Sequence, residues 1–148
     1  MIGRNHPLYP QEVELRQRLL LGPVGFTMEM FEQEFPGVED RFEHFVAVIE
    51  HPKGRRVIGC VCLLPHYPEQ GTGKLMQMAV DPQRQGEGIG RAMVVELERR
   101  AFGELGLASL FCHSRADAVG FYRTLGWKIE GEEFMEAGVP HCRMVFTP

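Results

Sequence analysis

The 148-residue sequence lacks the features that tie a protein to nucleic acid, a membrane or an oxidising compartment. Its 16 basic and 20 acidic residues give a formal net charge of -4, and no dense run of Lys or Arg marks a nucleic-acid surface. No apolar run approaches the roughly 18 residues that span a membrane, and the amino terminus has no signal-peptide segment. We therefore expect a soluble, cytoplasmic protein with neither nucleic-acid nor membrane partners.

Cysteine is also scarce, and its placement excludes two common uses. The sequence has four cysteines, without the paired short spacing of a zinc site. Cys60 and Cys62 lie too close together in a strand-like run to bridge each other. Free, buried thiols in a reducing compartment are the simplest interpretation for Cys60, Cys62, Cys112 and Cys142, and we predict no metal.

A hydrophobic fraction of 44% in a chain of this length is enough for one domain with its own core, which we expect to cover residues 1–148. Helical spacing of apolar residues is strongest where Ile89, Met93 and Leu97 recur every four residues. Thr27 is a predicted N-cap for an earlier helix. Four helices are predicted, over residues 10–21, 27–35, 89–101 and 115–125.

Runs of β-branched and apolar residues bounded by Pro and Gly predict strands in the rest of the chain. The first two runs are separated by the turn sequence HPKG, which predicts an antiparallel hairpin. Strands are predicted over residues 42–50, 55–65, 74–80, 107–113, 127–134 and 141–146. Because helices and strands do not alternate strictly, the order favours an α+β (mixed α/β) fold with a mixed sheet.

Three glycines, Gly86, Gly88 and Gly90, lie at the start of the third helix, in the segment QRQGEGIGR. A helix N-terminus has free backbone N–H groups and a partial positive charge, so it binds an anion when side chains leave the approach open. Gly86 and Gly88 can adopt positive φ, while Arg84 and Arg91 add charge. The segment predicts a pyrophosphate cradle; a strand-to-helix turn in which glycines only relieve crowding is the alternative.

Two other phosphate-binding motifs do not fit the sequence. A Rossmann fingerprint requires G-x-G-x-x-G, whereas the spacing here is G-x-G-x-G, and the next strand has no carboxylate placed for a ribose. The segment GTGK at 71–74 lacks the upstream glycine, the following Ser or Thr, and the following helix of a P-loop. Nicotinamide dehydrogenase and P-loop chemistry are therefore disfavoured.

The segment MAVDPQRQGEGIGRAM at 78–93 resembles motif A of the GNAT superfamily of N-acetyltransferases. In that motif a strand ending in valine leads into Q/R-x-x-G-x-G/A, which Gln85, Gly88 and Gly90 match. Downstream, SRADAVGFYRTLGW resembles motif B, A-x-x-x-Y-x-x-x-G-F/W. Its matched positions are Ala118, Tyr122, Gly126 and Trp127.

Two further segments are similar to the ElaA-like subgroup of small bacterial GNAT proteins. GEEFMEAGVPHCRM at 131–144 resembles the subgroup's C-terminal signature, and EDRFEHFVAV at 39–48 resembles its acidic-x-x-x-His segment. The resemblance covers some 110 residues from about Glu39 onward. The superfamily's usual opening strand is weak here, because only MIG precedes the first helix, so this strand is expected to be short or missing.

The resemblance implies a GNAT-like fold: a mixed sheet of about six to seven strands, splayed at two parallel central strands and flanked by about four helices. Acetyl-CoA is expected between the strands 74–80 and 107–113, since splayed strands leave backbone groups that pantetheine amides can satisfy. The residues expected at the cofactor are Met78, Ala79, Val80, Gln85, Gly86, Glu87, Gly88, Ile89, Gly90, Arg91, Arg115, Ala118 and Phe121.

The resemblance also implies the reaction, transfer of an acetyl group from acetyl-CoA to a primary amine of a small molecule or peptide. Tyr122 matches the general acid that protonates the leaving thiolate, and the Val80 backbone N–H is the expected oxyanion donor. A core aromatic residue is the alternative for Tyr122. A non-catalytic acyl-CoA-binding module of the same fold is the alternative for the chain, and a homodimer is a possible assembly by analogy.

The general base is the least determined residue. In several acetyltransferases a carboxylate on the motif A strand accepts the proton, but this sequence has Gln77 there, which does not titrate. His113, at the end of the next strand, is the first candidate, because its pKa lies near neutrality. His44, His141 and a water relay are alternatives. Glu132, Glu133 and Glu136 are interpreted as a solvated loop face, and an acidic edge that attracts a cationic amine is the alternative.

Overall fold

A single mixed sheet of seven strands organises the chain in the computed structural model, which describes residues 1–148. The strands are β1 Glu43–His51, β2 Gly54–Leu64, β3 Thr72–Val80, β4 Ser109–Arg115, β5 Lys128–Ile129, β6 Phe134–Glu136 and β7 Val139–Phe146. Their order in the sheet is β1-β2-β3-β4-β7-β5, with β6 also paired to β7. All pairs are antiparallel except the central one, β3 with β4. This agrees with the expected mixed α+β fold.

Five α-helices flank the sheet: α1 Tyr9–Arg16, α2 Met28–Glu34, α3 Val38–Arg41, α4 Ile89–Glu98 and α5 Val119–Thr124. Wider turns extend α1 to Leu21 and α4 to Glu104, which restores the longer helices that the sequence predicts. Thr27 Oγ1 accepts a hydrogen bond from the Met30 N–H at 3.1 Å, so the predicted N-cap is confirmed. No helix is both long and apolar enough to cross a membrane.

Some predicted boundaries were wrong. The strand predicted over 127–134 is two short strands, because Gly131 at φ 83° interrupts it between β5 and β6. The strand predicted over 107–113 lies two residues later, and one turn of 3-10 helix precedes α5. Helix α3 was not predicted. The expected opening strand is reduced to one bridge, in which the Ile2 N–H donates to the His44 carbonyl at 2.8 Å.

Helices cover both faces of the central strands, because those strands are apolar on both sides. Residues on one face of β2, among them Val61 and Leu63, pack with Met93 and Leu97 of α4 in a core of 16 buried residues. Residues on the other face, such as Cys60, pack with α1 and α2 in two smaller clusters. The four cysteines are buried and free, as predicted. The two helical layers leave the ends of β3 and β4 to form the site.

Candidate active site

The parallel strands β3 and β4 pair only along part of their length. Pairing runs from Thr72 with Ser109 to Leu75 with Cys112, and stops there. β3 nevertheless stays paired with β2 as far as Val80, and β4 stays paired with β7 to its end. The two strands therefore diverge within a continuous sheet, which is the splay that the resemblance implies.

A bulge on β3 lies at the start of this splay. Gln77 has φ 54°, and the register with β2 shifts between Cys60 and Cys62. Beyond the bulge, the Asp81 N–H donates to the Ile58 carbonyl on β2 at 2.8 Å. Because successive N–H groups along a strand point to opposite edges, the Val80 N–H faces the gap between β3 and β4.

The glycine segment adopts the conformation that the sequence predicts. Gly86 and Gly88 have φ of 85° and 81°, and Gly88 is the N-cap of α4. The first backbone donor of the helix is Ala92, whose N–H bonds to the Gly88 carbonyl at 3.0 Å. The N–H groups of residues 85–91 make no hydrogen bond within the chain. The turn therefore presents a row of free donors, as an anion site requires.

Charges at this turn are arranged so that its one acidic side chain is compensated. Glu87 is exposed and lies 3.7 Å from the Arg84 guanidinium. Arg115, at the end of β4, is also exposed and bonds to Asp117 at 3.2 Å. Arg115 is therefore an exposed residue in a surface ion pair, at the end of β4 beside the splay.

Gly90 permits a close approach between three elements. A Cβ at this position would lie 2.8 Å from the Met78 Cε on β3 and 3.4 Å from the Phe121 Cζ on α5. Ala118 and Phe121 are partly buried against the main core. The start of α4, the splayed part of β3 and α5 therefore meet at residues that the sequence predicts to contact the cofactor, and a side chain at position 90 would displace the end of Met78 and press on the Phe121 ring.

Tyr122 lies at this meeting point. Its side chain is buried, and its hydroxyl donates to the Met78 thioether at 3.5 Å. Sulfur is a weak acceptor, so the hydroxyl has no strong competing partner. Burial, reinforced by the neighbouring Cys112 thiol, raises the pKa of Tyr122 well above its usual value. The phenol is therefore protonated at neutral pH and available as a donor beside the splay.

His113 lies on the opposite face of β4 from Tyr122. Its Nδ1 is 2.9 Å from Glu136 Oε1, and the other oxygen of Glu136 is 3.6 Å from His141 Nε2. Burial lowers the pKa of His113, and Lys74 lowers it further, against the opposing effect of Glu136. His113 is therefore neutral at pH 7. The interpretation of Glu136 as a solvated loop residue was incomplete, since this partly exposed carboxylate orients the His113 ring.

Sequence reasoning missed four residues on the same face as His113, which we call the Phe111 patch: Tyr67, Lys74, Phe111 and Arg143. Lys74 Nζ lies 5.8 Å and Arg143 Cζ 4.1 Å from the Phe111 ring centroid. Tyr67 stacks on the same ring at 6.5 Å. Alternation along β4 was a signal that Phe111 and His113 share a face, but only the strand register adds the two cations.

On the helix α1 side, Glu12, Arg16, Glu39 and His44 form a buried ionic cluster, each at most 2% exposed. Arg16 donates to both oxygens of Glu39, at 2.8 and 2.7 Å, and to Glu12 at 3.2 Å. His44 Nδ1 is 2.8 Å from Glu12, and its Nε2 is 3.1 Å from the Glu39 carbonyl. With both ring nitrogens bonded, His44 is wrong as a candidate base.

The cluster extends to the bulge of β3. Gln77 Oε1 accepts a hydrogen bond from Arg16 Nε at 3.2 Å. An amide at this position can bind the guanidinium without adding a third negative charge. Glu12, His44 and Cys62 have ligand atoms within 4.8 Å of one another, but the charge that a metal would neutralise already has Arg16 beside it. We interpret the group as a structural ion-pair network that supports the bulge.

The buried ionic cluster predicts a pH window of greatest stability. Burial lowers the pKa of His44, but the bond and charge of Glu12 outweigh it, so the pKa is raised from 6.5. Burial raises the pKa of Glu39, but Arg16 outweighs it, so the pKa is lowered from 4.5. The stability that His44 contributes is complete below pH 6.5 and is lost as the pH rises through the folded pKa of His44. The stability that Glu39 contributes is complete above pH 4.5 and is lost as the pH falls through the folded pKa of Glu39.

Urea denaturation at a series of pH values checks this window. The stability that wild type gains over a His44→Gln variant is expected to shrink as pH is raised from about 6 to about 9. Taking the difference between the two proteins cancels the titration of the other histidines. A difference that stays constant, or grows, over this range would contradict the raised pKa.

Comparison with known proteins identifies the family of this chain. A family model described as "Acetyltransferase (GNAT) family" matches residues 12–127. The Bacillus subtilis protein "Putative acetyltransferase BSU40680" is 37% identical over 135 residues, which is 88% of this chain and 84% of that protein. The alignment spans most of both chains, and it agrees with the family match.

Solved structures share the fold. An aminoglycoside 6'-N-acetyltransferase complexed with coenzyme A has a TM-score of 0.74 at 18% identity, covering 99% of this chain and 94% of that one. Escherichia coli ElaA has a TM-score of 0.71 at 15% identity, covering 92% and 87%. The shared fold agrees with the ElaA-like resemblance of the sequence. The chain belongs to the acetyltransferase (GNAT) family.

Proposed function

We propose that the protein transfers an acetyl group from acetyl-CoA to a primary amine of a small molecule or peptide, in a ternary complex. One observation carries the proposal: the splay between β3 and β4 opens beside a row of free N–H groups at residues 85–91, with the Tyr122 hydroxyl at the same place. A solved acetyltransferase of the same fold was crystallised with coenzyme A.

The residues present fit this cofactor. The free N–H groups of residues 85–91 suit a pyrophosphate, and the unpaired edges of the splay suit pantetheine amides. We assign the contacts to backbone of Met78, Ala79 and Val80, to residues 85–91, and to the walls formed by Ala118 and Phe121. Arg115 is close enough to the mouth to add charge once its exposed pair with Asp117 opens.

Acetyl-CoA supplies an activated acetyl group: a C–N bond forms from the amine to the carbonyl carbon, the C–S bond breaks, and the sulfur leaves as a thiolate. Tyr122 gives its proton to that sulfur, and its raised pKa guarantees that the proton is present. The Val80 N–H, which faces the gap, stabilises the negative charge on the carbonyl oxygen. The extra proton of the ammonium form leaves to solvent before the attack. The neutral amine then loses one proton as the amide forms and Tyr122 gives one to the sulfur, so these two transfers balance.

His113 is the residue we assign to accept that proton. An alkylamine with a pKa of about 10.4 is protonated at neutral pH, which costs the reaction roughly 4–5 kcal/mol unless a base assists. The pKa of His113 is lowered, so its ring is neutral, and Glu136 orients it from Nδ1 at 2.9 Å. Its Nε2 is then left to face the amine.

A screen of primary amines with acetyl-CoA, read by thiol release, tests the proposed reaction. Turnover with at least one amine, together with calorimetric binding of CoA, is the expected result. Binding of CoA without turnover across the panel would favour the non-catalytic acyl-CoA-binding module. Absence of CoA binding at sub-millimolar concentration would contradict both.

Gly90→Val is expected to weaken CoA binding about 10- to 100-fold, the loss of one or two hydrogen bonds to a charged group. A Cβ at position 90 would lie 2.8 Å from the Met78 Cε, and the two further methyl groups of valine would push α4 away from β3 and block the gap. The measurement is a calorimetric titration with CoA.

Gly103→Ala is the matched control, since Gly103 lies in the extension of α4 and a Cβ there meets nothing within 4 Å. This variant is expected to bind CoA like wild type. If Gly90→Val also binds CoA like wild type, the cradle is not where the pyrophosphate lies.

A further inference from the structure

Two cations lie against one aromatic ring on the face of the sheet that His113 occupies. Lys74 and Arg143 both lie over the Phe111 ring, Lys74 at 5.8 Å and Arg143 at 4.1 Å from its centroid. Lys74 Nζ has no hydrogen bond or ion pair within the protein. Arg143 uses only Nε, in a bond to Glu130 at 3.0 Å, which leaves both Nη groups free.

We propose that the acceptor carries a carboxylate a few bonds from its amine, as a free amino acid does, and that Lys74 and Arg143 bind this carboxylate. The inference rests on the proposed acetyltransferase function and names the substrate class of the same site. It depends on where the two cations lie, on the N–H donors that they leave free and on the acidic residue Glu136 on the same face.

The strand register places the cations at the start of the splay. Lys74 on β3 is paired with Phe111 on β4, one step before pairing ends at Leu75 and Cys112. Arg143 on β7 is paired with His113, one step beyond. The four side chains therefore share one face and straddle the point where the acetyl group is expected to emerge from the opposite side.

Like charges in such a position repel each other unless an anion joins them. Burial lowers the pKa of Lys74, and Arg143 lowers it further, against the effect of Glu136. Contact with the Phe111 ring accommodates each cation but satisfies none of its N–H donors. A carboxylate accepts hydrogen bonds from ammonium and guanidinium groups alike, so it suits the free donors of both side chains.

The other end of the site suits an amine. Glu136 bonds to His113 at 2.9 Å and is the acidic residue that faces this group. The Phe111 and His113 ring centroids are 6.0 Å apart, so the ring that the cations contact and the imidazole that Glu136 contacts are neighbours on this face. Tyr67, stacked on Phe111, and Phe134, edge-on to His113 at 5.1 Å, provide apolar contact.

The test compares amino acids with their carboxamides as acceptors, in the full-length protein with acetyl-CoA. Wild type is expected to prefer the free acid at least about 10-fold in kcat/KM, because the amide carries no charge and leaves partly buried cationic donors unpaired. Lys74→Met and Arg143→Met should each lose most of this preference, which is measured as the ratio of kcat/KM for acid and carboxamide within one variant, so that any effect of the substitution on His113 cancels. Lys128→Met removes an exposed cation on β5 and should keep the preference.

Equal rates for acid and amide in wild type would overturn the inference, as would a preference that survives in both variants. Higher activity on an aminoalkylphosphonate than on the matched carboxylate would also overturn it. Lys74→Met should melt at no lower temperature than wild type, because it removes an unpaired, half-buried charge. A purely structural role for Lys74 predicts a lower melting temperature instead.

Binding of N-acetylated products separates this inference from the proposed function. N-acetyl amino acids should bind the CoA-loaded protein at least about 10-fold more tightly than their carboxamides, and Lys74→Met should abolish the difference. This readout needs no turnover. Turnover of simple alkylamines without any carboxylate preference supports the proposed function and rejects the carboxylate site. Selective binding of N-acetyl amino acids without any turnover supports the carboxylate site and contradicts the proposed function.

Discussion

Replacing Arg16 by methionine is expected to lower the free energy of unfolding by about 3–5 kcal/mol. Arg16 is fully buried and carries the positive charge that holds two buried carboxylates, Glu12 and Glu39. Methionine has similar length and fills the space between α1 and the sheet, so the loss comes from charge and not from a cavity. The Glu12 Oε1 atom already has no partner, so the cluster has no spare donor to replace the guanidinium.

Urea denaturation compares this variant with Arg18→Met. Arg18 pairs with Glu14 at 3.1 Å in the same i,i+4 arrangement that Arg16 makes with Glu12. Unlike the Arg16 pair, the Arg18 and Glu14 side chains are both at least half exposed. An exposed pair of this kind contributes about 0.3–0.5 kcal/mol, so the control should be almost as stable as wild type. A loss of less than about 1 kcal/mol for Arg16→Met would show that the cluster is not an essential charge network.

If Arg16→Met does not fold, Gln77→Leu tests the cluster with a smaller change. It removes the acceptor of the Arg16 Nε bond at 3.2 Å but leaves the paired charges in place. A loss of about 1–2 kcal/mol is expected, the cost of an unsatisfied buried donor. Stability equal to wild type would show that the bond between the bulge and α1 contributes nothing.

Tyr122→Phe is expected to reduce kcat about 100-fold or more, with the dissociation constant of CoA unchanged. The substitution removes one oxygen atom and nothing of the ring that packs against Trp127 at 5.4 Å. The lost hydrogen bond is to a thioether, a weak acceptor, so stability should change by less than about 1 kcal/mol. A proton donor to the leaving sulfur would be missing, and only the chemical step suffers.

Tyr9→Phe is the matched control for this effect. Tyr9 also places a phenol against a buried partner, Glu39, at 2.7 Å, but it lies on the α1 side and its hydroxyl contacts no residue of the splay. We expect Tyr9→Phe to lower stability and leave kcat unchanged, the opposite pattern to Tyr122→Phe. If both variants keep wild-type kcat, Tyr122 is a packing residue and the leaving thiolate needs no acid from the protein.

Consecutive residues were enough to predict the conformation of the glycine turn. The positive φ of Gly86 and Gly88 and the start of α4 follow from short segments, whereas the parallel pair β3 and β4 was expected from the family resemblance. Backbone conformation and helix termini depend mainly on neighbours in the chain, so a motif of a few residues determines them. The core positions follow from periodicity for the same reason.

The acceptor side was decided by the tertiary structure alone. Lys74, Phe111 and Arg143 come from three strands, and Glu136 reaches His113 from a hairpin that the sequence did not resolve. One residue of change in strand register would turn each of these side chains to the opposite face, and no local pattern specifies the register between strands so far apart in the chain.

The buried ionic cluster shows the same division. The spacing of Glu12 and Arg16 places them on one face of a helix, but their union with Glu39 and His44 needs α1 packed on the sheet and β1 in register. The sequence by itself determined the motifs and the elements that carry them. Only the fold decided which distant charges meet, because their energies depend on burial and on distances of about 3 Å that packing alone establishes.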